Sequence, residues 1–361
     1  MFTHLEFVPL FIAVFTAFFV AVILLVIMTP LAHQLGLVDR PTERKTHNGM
    51  VPLTGGVAIF GAVLIASVAT DVWIKNGSLF FTASAFIILL GMLDDMFDLS
   101  AKGRLVCQFG VAAIMAWSAQ NYVTELGDLF GFGSITFDIF GYFFTLVCVV
   151  GVINAFNMID GIDGLAGGMS LVVLCSVVFL LLISNNSKAI MGPMIVIAAI
   201  VPFLAFNLSW KGFKGNKIFM GDSGSMFVGL TIVWLLVEYT QGAEAAMRPV
   251  TAVWIIGLPL MDMAAIMFRR ARKGQSVLKP DKQHLHNIFI RAGFSPRRAL
   301  AAILLMGCFY AAIGIAGEIY HVSESFMFWA FLTTLIIYSV ALQNIWIILR
   351  FVRASKVTPT A

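Results

Sequence analysis

Apolar stretches of bilayer-spanning length recur along this chain, and nearly all of its basic residues fall in every second gap between them. A helix needs roughly 20 apolar residues to cross the hydrocarbon core. Windows of that length give about eleven spans, centred near Ala21, Ile59, Ile87, Ala113, Leu146, Leu174, Ile197, Leu230, Ile256, Leu305 and Ile336. With Met1 outside, the inward segments hold Arg40, Arg44 and Lys45; Lys102 and Arg104; Lys211, Lys214 and Lys217; nine between Arg269 and Arg298; and Arg350, Arg353 and Lys356. These are 20 of the 23 Lys and Arg residues, and only Lys75, Lys188 and Arg248 are left outside. Lysine and arginine concentrate on the cytosolic side of membrane proteins, so the pattern predicts an outside N-terminus and a cytosolic C-terminus. Backbone groups in lipid must be satisfied within their own segment, so helices are the expected element. The predicted fold is an all-α polytopic membrane protein, one integral domain over residues 1–361 with a long cytosolic loop at about 269–298.

Composition excludes a soluble domain: 60% of residues are hydrophobic and 12% charged, against about 25% charged in soluble proteins. The first apolar stretch, 7–31, exceeds a signal-peptide core and has no Lys or Arg ahead of it, so a retained span is expected. The net charge of +4 is accounted for by orientation and anionic lipid, with no nucleic-acid partner implied. Cys107, Cys148, Cys175 and Cys308 fall inside spans without metal-type spacing and are expected as buried small hydrophobes. No internal repeat is evident. Small pairs such as Gly167-Gly168 can pack helices within one chain or between two copies, which leaves a homodimer open.

The chemistry-bearing residues gather at inward span ends. The third span closes on Asp94, Asp95 and Asp98. On a continuing helix Asp94 and Asp98 would share a face. Three such carboxylates repel unless a cation or a proton joins them, and near a helix C-terminus they also oppose the macrodipole. A solvated helix end is the plain alternative; Lys102 and Arg104 are the cations nearest in sequence.

The fifth span ends in Asn154, Asn157, Asp160 and Asp163, a polar residue every three positions, followed by Gly164, Gly167 and Gly168. Their oxygens suit a hard cation such as Mg²⁺, which keeps waters and takes phosphate oxygens as ligands; Mn²⁺ is served by the same donors. Lys217 to Ser225 opens the eighth span with Asp222 between Gly221 and Ser223, either as an anion- or metal-binding helix start or as an ordinary N-cap. Asp262 is an acid inside the ninth span, a site residue or a support for one. Two further segments, Arg44-Lys45-Thr-His47 and Gln283-His284-Leu-His286-Asn287, bring cations and imidazoles suited to a diphosphate. A zinc site finds no strong template in the spacing of His284 and His286.

Five motifs in this order resemble the polyprenyl-phosphate N-acetylhexosamine-1-phosphate transferases, most closely the branch that uses undecaprenyl phosphate and N-acetylglucosamine. They are Leu37-Val-Asp39-Arg-Pro41, Asp94-Asp95, Asn154 to Gly168, Phe219 to Ser225, and Trp254 to Gly293. The resemblance implies that undecaprenyl phosphate attacks the β-phosphorus of UDP-N-acetylglucosamine in a bacterial inner membrane, releasing UMP. By the same resemblance Asn157 and Asp222 help hold Mg²⁺, and Asp94, Asp95, Asp160, Asp163 and His284 are catalytic. Lys45, His47, Lys102, Asn154, Lys217 and His286 bind substrate.

Relatives often carry a third histidine where this chain has Asn287, and muramyl-pentapeptide transferases carry lysine near Asp98 and three consecutive histidines. The differences favour a simple N-acetylhexosamine donor. A transporter is the different-class alternative. Its ionisable residues would sit near the midplane, commonly within inverted repeats, and here the acids sit at inner span ends.

Overall fold

A computed structural model describes residues 4–40, 49–72, 74, 76–209, 217–242, 245–277 and 284–344. Helices dominate. In chain order they are α1 (His4–Leu35), α2 (Gly55–Thr70), α3 (Gly77–Phe97), α4 (Ala101–Ala113), α5 (Phe140–Ile159), α6 (Leu165–Ile183), α7 (Met191–Asn207), α8 (Gly221–Thr240), α9 (Pro249–Ile255), α10 (Gly257–Arg272), α11 (Leu285–Arg291), α12 (Pro296–Ile319) and α13 (Glu324–Gln343).

Among the described residues, eight helices are long and apolar enough to cross a membrane: α1, α3, α5, α6, α7, α8, α12 and α13. A ninth span arises if α9 and α10 are one crossing, bent by 77°. The remaining two expected spans are shorter elements. The 16-residue α2 is one, and α4, which runs on as a π-helical turn at Ile114–Ser118, is the other. The bend between α9 and α10 falls at the predicted span centre, Ile256. Pro259 has no N–H to offer the Ile255 carbonyl one turn back, so a continuous helix is broken there. The segment after α10 is also not one open loop, since α10 extends to Arg272 and α11 lies within it.

The centre of the bundle is α8, buried along its length apart from Asp222 and packed on α2, α3 and α5. Lipid tails give no hydrophobic drive to helix association, so close van der Waals contact through small residues must supply it. Two glycines show how close. A Cβ on Gly56 would fall 2.2 Å from the Gly224 nitrogen, and one on Gly91 would fall 2.2 Å from the Ser223 Cα. Both contacts pin the first turn of α8. Along α1, Ala13, Ala17, Ala21 and Leu25 form a fully buried stripe at four-residue spacing, while Phe11, Phe15 and Phe19 face outward. The cysteines correct the sequence reading. Cys107, Cys175 and Cys308 are exposed on helix flanks and Cys148 is half-buried.

Irregular backbone appears at helix ends, where it still finds partners. Val38–Asp39 (β1) pairs antiparallel with Val51–Pro52 (β2). The stretch before α8 runs beside them, with Phe219 N–H donating to the Pro52 carbonyl at 2.9 Å and Gly55 N–H to the Phe219 carbonyl at 3.0 Å. At the opposite end a small hairpin pairs Glu125–Gly127 (β3) with Ile135–Thr136 (β4).

Candidate active site

The ends of α3 and α5, the starts of α4 and α8, and the turn before α11 converge on one cleft. Asp95 is structural there. Its carboxylate accepts the N–H groups of Asp222 at 2.9 Å and Ser223 at 3.4 Å. The first turn of a helix leaves such donors unpaired, and its dipole favours negative charge. Asp95 therefore caps α8 from another helix, and the N-cap role considered for Asp222 is already filled. Asp222, the second residue of α8, turns its side chain to the cleft instead. Its Oδ1 accepts from Asn157 Nδ2 at 2.8 Å, and the same amide reaches Ser225 Oγ at 3.0 Å.

Asp94 is buried and accepts the Leu99 N–H at 2.9 Å through Oδ1, while Oδ2 is paired with Arg104. The Arg104 guanidinium also lies 3.6 Å from Asp222 Oδ2, so one cation spans two carboxylates from different helices. Sequence reasoning named Lys102 for this corner. Lys102 is exposed, and Arg104, two residues further along α4, turns inward. The only signal for Arg104 was its nearness in sequence, which it shared with Lys102. The face expected for Asp94 and Asp98 does not form, because α3 stops at Phe97 and Asp98 takes a left-handed φ of 51° and an exposed position.

The turn after α5 supplies the opposite wall. Asp163 Oδ2 is 2.7 Å from Lys217 Nζ, which also stands over the Phe219 ring at 4.9 Å. Asn207, which sequence reasoning passed over, is buried and clamps this wall. Its Oδ1 accepts the Gly164 N–H at 2.6 Å and its Nδ2 donates to the Ile218 carbonyl at 2.8 Å. Asn154 sits deeper, donating to Gln108 Oε1 at 2.6 Å and tying α5 to α4. Asp160 caps α5 with an open side toward solvent. Desolvation among the cleft walls, then the charges of Asp222 and Asp163, push its acid up to about 7.

The two histidines lie side by side with parallel rings, 5.7 Å between centroids. His284 Nδ1 is 2.9 Å from Asp262 Oδ2. His286 is buried against Gly161, where a Cβ would fall 2.1 Å from its ring; only glycine leaves this room. Burial and the neighbouring His284 lower His286 to about 4, so it is a neutral imidazole at physiological pH. Asn287 donates its amide to His286 Nε2 at 2.9 Å, which gives the residue standing in place of a third histidine a definite contact. Lys45 and His47 lie outside the described residues.

Among the described residues no three His, Cys, Asp or Glu side chains converge to cage a metal unaided. The cleft offers instead a few hard oxygens, Asp222 and Asn157 foremost, with two cations and two imidazoles around them. Such a set recognises phosphate groups from several sides.

Comparison with known proteins agrees. The glycosyl transferase family 4 profile matches residues 78–240, which carry the α3, α5 and α8 parts of the cleft. Undecaprenyl-phosphate alpha-N-acetylglucosaminyl 1-phosphate transferases of Escherichia coli K12 and Salmonella typhimurium are each 39% identical over 327 residues, 90% of this chain and 89% of theirs. The Haemophilus influenzae enzyme of that name is 38% identical over 345 residues, 96% of this chain and 97% of its own. The chain belongs to glycosyl transferase family 4 and, within it, to the polyprenyl-phosphate N-acetylhexosamine-1-phosphate transferases.

Proposed function

We propose that the cleft transfers N-acetylglucosamine 1-phosphate from UDP-N-acetylglucosamine to undecaprenyl phosphate, giving undecaprenyl-diphospho-N-acetylglucosamine and UMP. One observation carries this: Asp94 and Asp222 share a single guanidinium, and Asn157 is bonded to Asp222, at the end of a membrane-length bundle. The site is one where a lipid-borne phosphate and a soluble diphosphate can meet. Its residues fit Mg²⁺, with Mn²⁺ as a substitute, because Asp222 and the Asn157 amide oxygen are hard donors too few to complete a shell without phosphate and water. When bound, the ion neutralises diphosphate charge.

The protein's own groups account for the rest. A phosphate monoester has a second pKa near ~6, so the attacking lipid phosphate needs little deprotonation. The larger barrier is repulsion between two anions, and fixed cations at the developing charge lower it. Arg104 is held at that place by Asp94. Lys217, paired with Asp163, stands ready on the donor side. Neutral His286 offers hydrogen bonding without adding charge, and Gly161 gives the ring its room. An oxygen of the lipid phosphate bonds to the β-phosphorus as the bond to UMP breaks, in one in-line displacement with no covalent enzyme intermediate. In this reading the protein is a multi-pass enzyme of a bacterial inner membrane, its N-terminus outside and its cleft in the cytosol. Its product primes a lipid-linked glycan of O-antigen type.

The test uses purified protein, undecaprenyl phosphate, Mg²⁺ and sugar-labelled UDP-N-acetylglucosamine. Label in the organic phase equal to the UMP released, and abolished by EDTA, supports the reaction. Transfer only from UDP-N-acetylgalactosamine or the muramyl-pentapeptide donor reassigns the donor. Label that stays water-soluble with every donor ends the transferase reading.

A further inference from the structure

The last described helix reaches the cleft through a buried hydroxyl. Tyr338, on α13, donates it to Asp262 Oδ1 at 2.9 Å. Asp262 is buried on α10, just beyond the bend. The same oxygen accepts the Leu285 N–H at 3.1 Å, and Oδ2 faces His284 Nδ1 at 2.9 Å. A carboxylate holding these donors offers only acceptor capacity, so the proton between Asp262 and His284 belongs to Nδ1. Nε2 is then the ring nitrogen left for a ligand. The parallel ring of His286 follows, resting on Gly161 between Asp160 and Asp163. A continuous line of contacts thus runs from α13 to the turn that walls the cleft.

We infer that Asp262 and Tyr338 are positioning residues for His284: they fix which ring nitrogen carries the proton and so present Nε2 to the transferred phosphate group. The inference rests on the transferase reading of the cleft. Tyr338 steadies the carboxylate, the carboxylate steadies the imidazole, and neither touches substrate. A purely architectural tie would not care which nitrogen is protonated. Asp262→Asn separates the two roles, because the amide keeps the shape but can donate its own N–H to Nδ1, which moves the ring proton to Nε2.

The experiment uses full-length protein in nanodiscs, with ¹⁵N-histidine spectra assigned through His284→Gln, beside steady-state transfer. Wild type should show His284 protonated at Nδ1. Asp262→Asn should show it at Nε2, with kcat lower by about 100-fold or more and KM for the nucleotide sugar changed less than about threefold. Tyr338→Phe should keep the tautomer and lower kcat by roughly 3- to 10-fold. The inference is overturned if His284 stays protonated at Nδ1 in Asp262→Asn, or if both variants lose activity only in proportion to lost folded protein. A wild type showing the Asp262-dependent tautomer but no transfer from any donor overturns the proposed function and leaves the positioning geometry supported.

Discussion

The two ends of the bundle are built from the same residue types and treat them differently. At the end away from the cleft, Glu318 and Glu324 are well supplied with donors. Glu318 takes Arg248 Nε at 3.2 Å, the Arg248 N–H and the Thr251 hydroxyl, and the guanidinium spends its other donors on the carbonyls of Val322 and Gly317. Glu324 accepts the Asp128 N–H, and Gln241 binds Thr124 and Glu125 with both halves of its amide. Stacked Tyr122, Tyr142 and Trp117 line that end in the manner of an interfacial aromatic belt. At the cleft end Asp94, Asp95, Asp160, Asp163 and Asp222 crowd together, and among the described residues the cations paired with them are Arg104 and Lys217. Saturated polar groups hold a fold together. A surplus of acids over cations costs stability unless a cation or a proton joins it.

The comparison breaks first at Asp222. Asp222→Asn keeps the shape and the Asn157 contact partner but removes one charge from the crowded end. Transfer should fall about 10³-fold, with membrane insertion and thermal midpoint at or above wild type, since carboxylate repulsion is relieved. Near-normal turnover at limiting Mg²⁺ would remove Asp222 from the metal site. Next comes Arg104→Gln, which leaves buried Asp94 without its cation. Transfer should drop roughly 10- to 100-fold, while Lys102→Gln, at an exposed position, should change it less than about twofold. Equal losses from the two would return Lys102 to the corner.

Those two residues show what was legible in the sequence. Helix placement follows from hydropathy because each apolar stretch is a local run, and all eleven centres fall on helices or, at Ile256, on the break between two. Only eight of the described helices, or nine with the bent pair counted as one span, are long and apolar enough to cross a membrane. The motif aspartates stand out because acids at span ends are rare and costly. Partnerships across helices were not legible. Spacing cannot tell that Asp95 caps α8 127 residues away, or that Tyr338 meets Asp262 across 76. Nor can it choose between Lys102 and Arg104, since that choice depends on where α3 stops and at what angle α4 restarts. The bend at Ile256 had a local cause in Pro259, masked by an apolar run that reads as continuous.

Proton competition sharpens the contrast with a smaller effect. Asp160, pushed up to about 7, binds a proton as pH falls through neutrality, and a cation entering the cleft must do without that carboxylate or displace the proton. A raised pKa therefore means weaker cation binding at low pH. The half-saturating Mg²⁺ concentration should rise about tenfold between pH 8 and pH 6, the change in ionised fraction for a group near 7. Asp160→Asn should flatten that dependence. A flat wild-type profile would show that Asp160 does not face the ion.

The smallest effect on turnover belongs to the saturated end. In Glu318→Gln the amide still accepts from Arg248 and Thr251, but the charge pairing is lost. Both partners are partly solvated, with side chains 18% and 24% exposed, so screening limits the pair to about 1 kcal/mol. The expected outcome is a thermal midpoint lower by a few degrees and, per folded molecule, transfer within about twofold of wild type. Arg248 remains anchored on two carbonyls, which keeps α9, α12 and the start of α13 together without the charge. A turnover loss as deep as that of Arg104→Gln, at unchanged folded fraction, would mean that the α9–α12 contact transmits to the cleft through the α9–α10 bend. The saturated end would then be part of the catalytic machinery and not only its frame.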